Sequence, residues 1–202
     1  WRSFLNEEGQ YLDWDALRKL VFFRGLHPNV RVELWPMLLG LFPKDSTEAH
    51  RELIRKQIDS DYTRRRDSWL LTPVRKSKEV IHRIKDVYKD VVRTDREHKF
   101  YAGSDNPNLI SVTDILTTYC DAEADGAVTY VQGMSDILAP IFMVMRDEAI
   151  ALKCFEKNLE RLSKYFDGGP GMHELLETLR LLAAHYLPTF YDVLCQHDMG
   201  NM

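Results

Sequence analysis

The sequence predicts an all-α fold. In segment after segment, apolar residues recur three and four positions apart, which is the spacing of one face of an α-helix. No segment alternates apolar and polar residues as a half-buried strand does, and no repeat of fixed period runs through the chain. With 202 residues, the chain is long enough to bury a sizeable core. We therefore expect one multi-helix domain over residues 1–202.

Charge and composition exclude several classes of protein. A net charge of -4 provides no overall positive field for nucleic acid, and no apolar run reaches the ~20 residues of a membrane span. The seven histidines show no metal-ligand spacing, so no metal site is predicted. Cys120, Cys154 and Cys195 are odd in number and far apart, which is typical of a reducing compartment. We expect a cytoplasmic protein whose partners bind to local surfaces.

Capping residues mark the first two helices. Asp13 precedes a predicted helix over residues 14–23. A second helix is predicted from Pro28, which suits a first turn. Within it Arg31 and Trp35 lie four positions apart on one face, and we expect them to form a stacked cation and ring pair. The usual role of such a pair is structural.

A long third helix is predicted after a capping box at Asp45-Ser46-Thr47-Glu48. Ile58 and Tyr62 lie among many charged residues, which indicates a helix with one solvent-exposed face. The basic run at residues 64–66 is interpreted as a solvated helix end. Contact with acidic groups of a partner is the alternative.

The fourth helix carries the first candidate site residue. Arg93 falls almost opposite the apolar stripe of this helix, with Asp86 and Asp90 on the neighbouring arc. One interpretation is a surface ion pair that contributes under about 1 kcal/mol. The other is an outward-facing guanidinium that the carboxylates aim. The stripe, which is expected to face the core, consists of Val80, Ile84, Val87 and Val91 and is widened by Ile81 and Tyr88.

The stretch from Tyr130 to Asp136 is predicted to be a helix start. A glycine beside a glutamine at this place leaves room for another molecule's backbone, and the Gln132 amide offers one acceptor and two donors. The alternative is that Gln132 satisfies local backbone groups. Upstream, a helix over residues 108–119 is expected to pack beneath the two segments that carry Arg93 and Gln132.

The remaining segments are predicted to be framework helices. Asp147 caps one helix, and a glycine-rich break at residues 168–171 separates it from the next. That helix repeats Leu175, Leu179 and Leu182 on one face and is predicted to reach Pro188. A short helix is predicted from Phe190 onward. For the helix that Asp147 caps, we expect an intramolecular helix pair, with a coiled coil as the alternative.

Three short motifs, taken together, resemble the signature motifs of the TBC domain of Rab GTPase-activating proteins. They occur in the right order along nearly the whole chain, and the wider context is similar to the Rab activators of late endosomes and the vacuole. One departure is Val87, where isoleucine is usual. The motifs are Arg31-x-x-x-Trp35, Val87-x-x-Asp90-x-x-Arg93 and Tyr130-x-Gln132.

The resemblance implies a role for each matching residue. In that family the arginine of the second motif and the glutamine of the third enter the GTPase, and these roles fall on Arg93 and Gln132. Asp90 would hold Arg93, and Gly133 would let the partner approach. The other supporting residues implied are Tyr130, Arg31 and Trp35.

The implied chemistry is GTPase activation in trans. A guanidinium stabilises the negative charge that builds on the transferring phosphoryl group, and a second group orients the attacking water. The implied partner is a Rab-family small GTPase in its GTP-bound form. GTP and Mg²⁺ would belong to that partner, so the chain would need no cofactor and have no catalytic turnover of its own. The alternative is a non-catalytic Rab-binding or scaffold module of the same fold.

The resemblance also implies a truncation. The chain opens at Trp1 rather than at a start methionine, and the family's domain continues past Met202. We therefore expect a partial domain, made of the N-terminal catalytic half and the first helices of the C-terminal half, with an approximate sub-boundary near residue 146. Its expected location is the cytoplasm or the periphery of endosomal membranes. Leu175, Leu179 and Leu182 are expected to form an exposed apolar patch through which the chain self-associates.

Overall fold

The computed structural model describes residues 1–71, 78–121, 130–162, 165 and 170–196. Within these ranges the only paired extended residues are Leu5 and Tyr11, which form an isolated bridge, and the predicted all-α fold class is confirmed. Of the predicted break at residues 168–171, residues 168 and 169 lie outside the described part. The helices are α1 (Trp14–Arg24), α2 (Pro28–Leu39), α3 (Glu48–Leu70), α4 (Lys78–Val91), α5 (Pro107–Asp121), α6 (Met134–Met145), α7 (Glu148–Leu162), α8 (Pro170–Tyr186) and α9 (Pro188–Gln196).

Side-chain caps begin the helices close to where the sequence predicts them. The Asp13 carboxylate accepts a hydrogen bond from the Ala16 amide at 2.9 Å, and Asp147 accepts one from Ile150 at 2.8 Å. The capping box predicted from Asp45 is displaced, because Thr47 is the residue that caps α3. Its hydroxyl accepts a hydrogen bond from the amide of His50 at 3.1 Å.

The described residues divide into two compact units, Trp1–Asn158 and Leu159–Met202. The division falls inside α7. This division does not test the sub-boundary near residue 146, which stays a prediction.

Helix α5 lies at the centre of the first unit. It packs against α3, α4 and α6, as expected of a helix beneath the two candidate site segments. Because neighbours surround it, side chains on most of its circumference are buried and Leu116 is fully enclosed. Helices α4 and α6 also contact each other, and α2 packs against α6. These contacts fix the C-terminal end of α4 and the N-terminal end of α6 on one framework.

Polar contacts join α3 to α7 in the first unit. The Tyr62 hydroxyl donates to the Glu148 carboxylate at 2.6 Å, and Arg65 donates to Glu156 at 2.7 Å. Arg66 pairs with Asp114 of α5 at 3.3 Å. The predicted solvated end of α3 is therefore wrong for Arg65 and Arg66, which serve as internal ties.

Helix α4 shows a narrower apolar stripe than the sequence indicates. Val87 and Val91 are completely buried, whereas Ile81 and Tyr88 are 40% and 47% exposed. The predicted widening of the stripe by Ile81 and Tyr88 is wrong. Periodicity placed them near the stripe, but the neighbouring helices cover only the arc that holds the two valines.

The second unit contains the helix pair α8 and α9, which pack against each other. Pro188, predicted as the end of one helix, begins α9 instead. An apolar groove of about 610 Å³ runs along this pair and is lined by Leu179, Leu182 and Phe190 among others. Leu175, Leu179 and Leu182 are each about half exposed, so the predicted apolar patch is present. Among the described helices, none is long and apolar enough to cross a membrane.

Candidate functional site

Arg93 lies just beyond the end of α4 and points into solvent. Its side chain is 70% exposed. Two contacts hold the base of the guanidinium: Nε donates to the Lys89 carbonyl at 3.0 Å, and Nη2 donates to Asp90 Oδ1 at 2.6 Å. The remaining N–H groups face outward. The predicted outward orientation is therefore observed, and two hydrogen bonds hold one side of the head group against the end of α4.

Asp90 joins the two segments that carry the candidate residues. Its side chain is only 15% exposed. While Oδ1 accepts from Arg93, Oδ2 accepts a hydrogen bond from the Tyr130 hydroxyl at 3.0 Å. Burial raises the pKa of Tyr130, a hydrogen bond from Ser135 lowers it, and the Asp90 carboxylate raises it. The net shift is upward, so Tyr130 stays protonated and remains a donor to Asp90 at neutral pH.

Gln132 lies two residues after Tyr130 and just before α6. Its side chain is exposed, and its amide has no hydrogen-bond partner in the part of the chain that the structure describes. The alternative in which Gln132 satisfies local backbone groups is therefore not observed. The amide's donors and acceptor are open to another molecule.

Gly133 caps α6 in a conformation that suits glycine. Its φ is +96°, in the left-handed region, where a side chain is strained. Its carbonyl accepts hydrogen bonds from the amides of Asp136 and Ile137, which begin the helix. A Cβ built on Gly133 would meet no atom of the described residues within 4 Å. The glycine is needed for the turn, and the open space beside it leaves a partner room to approach.

The loop after Arg93 is tied down by its own hydrogen bonds. The Arg96 guanidinium donates to the carbonyls of Tyr101 and Gly103, at 2.9 and 2.5 Å. The buried Tyr101 hydroxyl in turn donates to the Ala139 carbonyl of α6 at 2.7 Å. These bonds connect the loop to the helix that follows Gln132, so both segments rest on α6.

Two buried hydroxyls also connect the loop after α4 to the start of α6, and they were not predicted from the sequence. Thr94 Oγ1 lies 2.9 Å from Ser135 Oγ. A threonine and a serine 41 positions apart form no recognisable pattern. The only available signal was that Thr94 follows Arg93 and that Ser135 lies two residues after Gly133.

Arg31 and Trp35 are separate from this arrangement. Arg31 Nε donates to the Leu26 carbonyl at 3.4 Å, which closes the turn before α2. The described residues show no stacking between Arg31 and Trp35, so the predicted cation and ring pair is wrong. Both side chains are half-buried on α2, which packs against α6. Neither side chain has a hydrogen bond, ion pair or ring contact with Arg93 or Gln132 among the described residues.

Asp86, predicted to help aim Arg93, has other partners. Its carboxylate pairs with Lys89 at 2.9 Å and with His82 at 3.1 Å. The Lys89 hydrogen bond lowers the pKa of Asp86. Of the two carboxylates, Asp90 is therefore the one that pairs with Arg93. No cluster of metal-ligating side chains is found among the described residues. The chemistry that the site offers is an exposed cation held by Asp90 and the Lys89 carbonyl, together with the exposed amide of Gln132.

Comparison with known proteins identifies relatives of this chain. The family model of the Rab-GTPase-TBC domain matches residues 28–202. TBC1 domain family member 25 of Homo sapiens is 36% identical over 194 residues, which cover 95% of this chain and 28% of that relative. The GTPase-activating protein gyp7 of Schizosaccharomyces pombe is 32% identical over 219 residues, covering 100% of this chain and 29% of that relative.

A third relative gives the same picture. TBC1 domain family member 17 of Homo sapiens is 35% identical over 207 residues, covering 100% of this chain and 32% of that protein. The chain thus spans less than a third of the length of these relatives. The matching motifs and the all-helical fold agree with the family model. The chain belongs to the Rab-GTPase-TBC domain family.

Proposed function

We propose that this chain activates a Rab-family small GTPase by supplying Arg93 and Gln132 to the GTPase active site. The observation that carries the proposal is the Asp90 carboxylate, which accepts hydrogen bonds from both Arg93 and Tyr130. One partly buried group thereby joins the segment of the arginine to the segment of the glutamine. A surface ion pair without function would not need this second contact.

Arg93 would act as an arginine finger. Negative charge on the transferring phosphoryl group grows in the transition state, so a guanidinium placed there stabilises the transition state more than bound GTP. Arg93 is prepared for this because Asp90 and the Lys89 carbonyl hold Nη2 and Nε, while the other N–H groups stay available for phosphate oxygens. Lysine lacks the planar fork of donors that spans two oxygens.

Gln132 would orient the attacking water. An amide accepts a hydrogen bond from water and donates one to a phosphate oxygen, so one side chain can align both. Support comes from the exposed amide without a partner and from the open space beside Gly133. The chain would need no cofactor of its own, since GTP and Mg²⁺ would be bound by the GTPase. The activity would be located in the cytoplasm, including the cytoplasmic surface of endosomal membranes.

A panel of GTP-loaded Rab proteins tests this proposal. Each is mixed with the chain under single-turnover conditions, and phosphate release is followed. We expect faster hydrolysis for at least one Rab, and no acceleration when Arg93→Ala replaces the wild type. Binding to a GTP-loaded Rab without faster hydrolysis would instead support the non-catalytic module.

A further inference from the structure

We propose that Thr94 and Ser135 are a positioning pair that holds Arg93 and Gln132 in register for the activation reaction. This inference rests on the proposed function, since it assigns the two hydroxyls a role in that reaction. Neither residue would touch the GTPase. They would act by holding Arg93 and Gln132 in place. Thr94 directly follows Arg93, and Ser135 lies three residues after Gln132.

The two hydroxyls meet in the interior of the first unit. Thr94 is 6% exposed and Ser135 is 1% exposed. Thr94 Oγ1 lies 2.9 Å from Ser135 Oγ and 3.0 Å from the Asp90 carbonyl oxygen. Since Thr94 directly follows Arg93 and Ser135 is the second residue of α6, the contact spans the same gap as the Asp90 to Tyr130 hydrogen bond.

Two contacts and two short stretches of backbone form a closed ring. Thr94 contacts Ser135, the chain runs back from Ser135 to Tyr130, and Tyr130 donates to Asp90. Asp90 belongs to the same turn as Thr94, so the ring returns to its start. Arg93 is attached to the ring through Asp90, and Gln132 lies between Tyr130 and Ser135 in the chain.

The surroundings explain why hydroxyls matter at this place. The apolar residues close to this ring in the sequence are at least 96% buried, namely Val91, Met134 and Leu138. Apolar side chains alone can pack at slightly different offsets, whereas a hydrogen bond requires a narrow range of distance and angle. A buried hydroxyl is also costly without its partner. The pair therefore favours one offset between the end of α4 and the start of α6.

The expected consequence is on the rate of hydrolysis rather than on binding. Small misplacements of catalytic groups cost up to about 10²-fold in rate. We expect Thr94→Val and Ser135→Ala each to lower the maximal stimulated rate by about 10- to 100-fold. The chain concentration that gives half of that rate should stay unchanged. Thr94→Ser keeps the hydroxyl and should retain most of the activity.

Thr113→Val is the matched control. Thr113 is also 6% exposed, and its hydroxyl donates to the carbonyl four residues earlier, that of Leu109, at 2.8 Å. Thr94 has the same local bond to Asp90 but adds the contact with Ser135. Thr113→Val should therefore keep the maximal rate. The double variant Thr94→Val with Ser135→Ala should lose little more than either single variant, because both remove the same contact.

Amide hydrogen exchange provides a readout that needs no GTPase. Thr94→Val should speed exchange in residues 131–136, a segment distant from it in sequence, and Thr113→Val should not. Unchanged exchange there, or a maximal rate equal to that of Thr113→Val, overturns the positioning role. If wild type activates no Rab while exchange in residues 131–136 responds as expected, the proposed function fails and the structural coupling of the two segments stands.

Discussion

The Tyr130 hydroxyl donates a hydrogen bond to Asp90 Oδ2 at 3.0 Å, although the two residues lie 40 positions apart. The other oxygen of the same carboxylate holds Arg93. A single partly buried carboxylate thus serves both motifs, and the activity we propose depends on how α4 and α6 dock. The predictions below separate the exposed groups from the framework that holds them.

Arg93→Ala should lower the stimulated rate by on the order of 10³ to 10⁵, the range of an arginine finger. The fold should be unchanged, because the side chain is 70% exposed and contributes little to the core. Binding of the GTPase should change little, because the guanidinium stabilises the transition state more than bound GTP. Arg93→Lys should recover little activity, since one ammonium cannot span two phosphate oxygens. Single-turnover phosphate release, followed over a series of chain concentrations, measures the maximal rate and the apparent affinity of both variants.

Arg64→Ala is the control for Arg93→Ala. Arg64 is 74% exposed and forms an i,i+3 pair with Asp61, the same relationship that Arg93 has with Asp90. It should leave the stimulated rate unchanged. Near-normal activation by Arg93→Ala, or an equal loss in Arg64→Ala, would reject Arg93 as the finger.

Gln132→Ala should lower the stimulated rate by on the order of 10²-fold, as expected for loss of a positioned hydrogen-bonding group. Gln132→Glu should fail too, because its negative charge repels the γ-phosphate. Gln57→Ala, an exposed glutamine on α3, should have no effect. Replacing the GTPase's own glutamine should do less damage than Gln132→Ala. The test compares four pairs, in which the chain and the GTPase each carry either their own glutamine or alanine. If alanine in the GTPase does more damage than Gln132→Ala, then Gln132 is structural.

Gly133→Ala should destabilise the first unit by about 1–2 kcal/mol, the cost of a side chain in the left-handed region. Gly103→Ala is its control, because φ is +91° there and the added Cβ also meets open space. Thermal unfolding should shift similarly for both. If a partner approaches over Gly133, only Gly133→Ala should also weaken GTPase binding, and equal binding by the two variants would contradict that approach.

Only one of the three thiols should react quickly in the folded protein. Burial raises the pKa of Cys120 and of Cys154 to about 12, so both are protonated as well as inaccessible at pH 8. Cys195 is exposed. Titration with a thiol reagent should give about one fast equivalent, and three after unfolding in guanidinium. Fast reaction of a second thiol in the folded state would contradict the buried positions.

The apolar groove of α8 and α9 should promote self-association. Leu179 is 61% exposed within it, and Leu179→Glu should lower the sedimentation coefficient at high protein concentration. Leu53→Glu provides a control, since Leu53 is 60% exposed on α3. A wild-type chain that sediments as a monomer over the whole concentration series would refute this expectation.

Local features of the fold could be predicted from the sequence, because their causes are local. Asp13 and Asp147 cap their helices through residues three positions away. Asp90 could be assigned to Arg93 for the same reason, since i,i+3 positions are neighbours on a helix. The same rule failed for Arg31 and Trp35, because spacing permits a contact without selecting the side-chain rotamers that make it.

Features that depend on tertiary packing could not be predicted. Tyr88 has the period of the core stripe, yet it is 47% exposed because the helices around α4 leave that arc open. The contact between Thr94 and Ser135 depends on how α4 meets α6, which no local pattern encodes. The hydrogen bond between Tyr130 and Asp90 was not predicted for the same reason, although the motifs that contain both residues were recognised.

The ties between α3 and α7 affect how the chain is made. Tyr62 and Glu148 are separated by 86 positions, and Arg65 and Glu156 by 91. At ribosomal speeds of about 5–20 residues per second, α7 leaves the ribosome on the order of 10 s after α3. During that interval α5 can already cover the apolar side of α3, but Tyr62 and Arg65 lack their partners in α7. The nascent chain therefore passes through a period in which these two polar groups must be hydrated, and this period ends when α7 emerges.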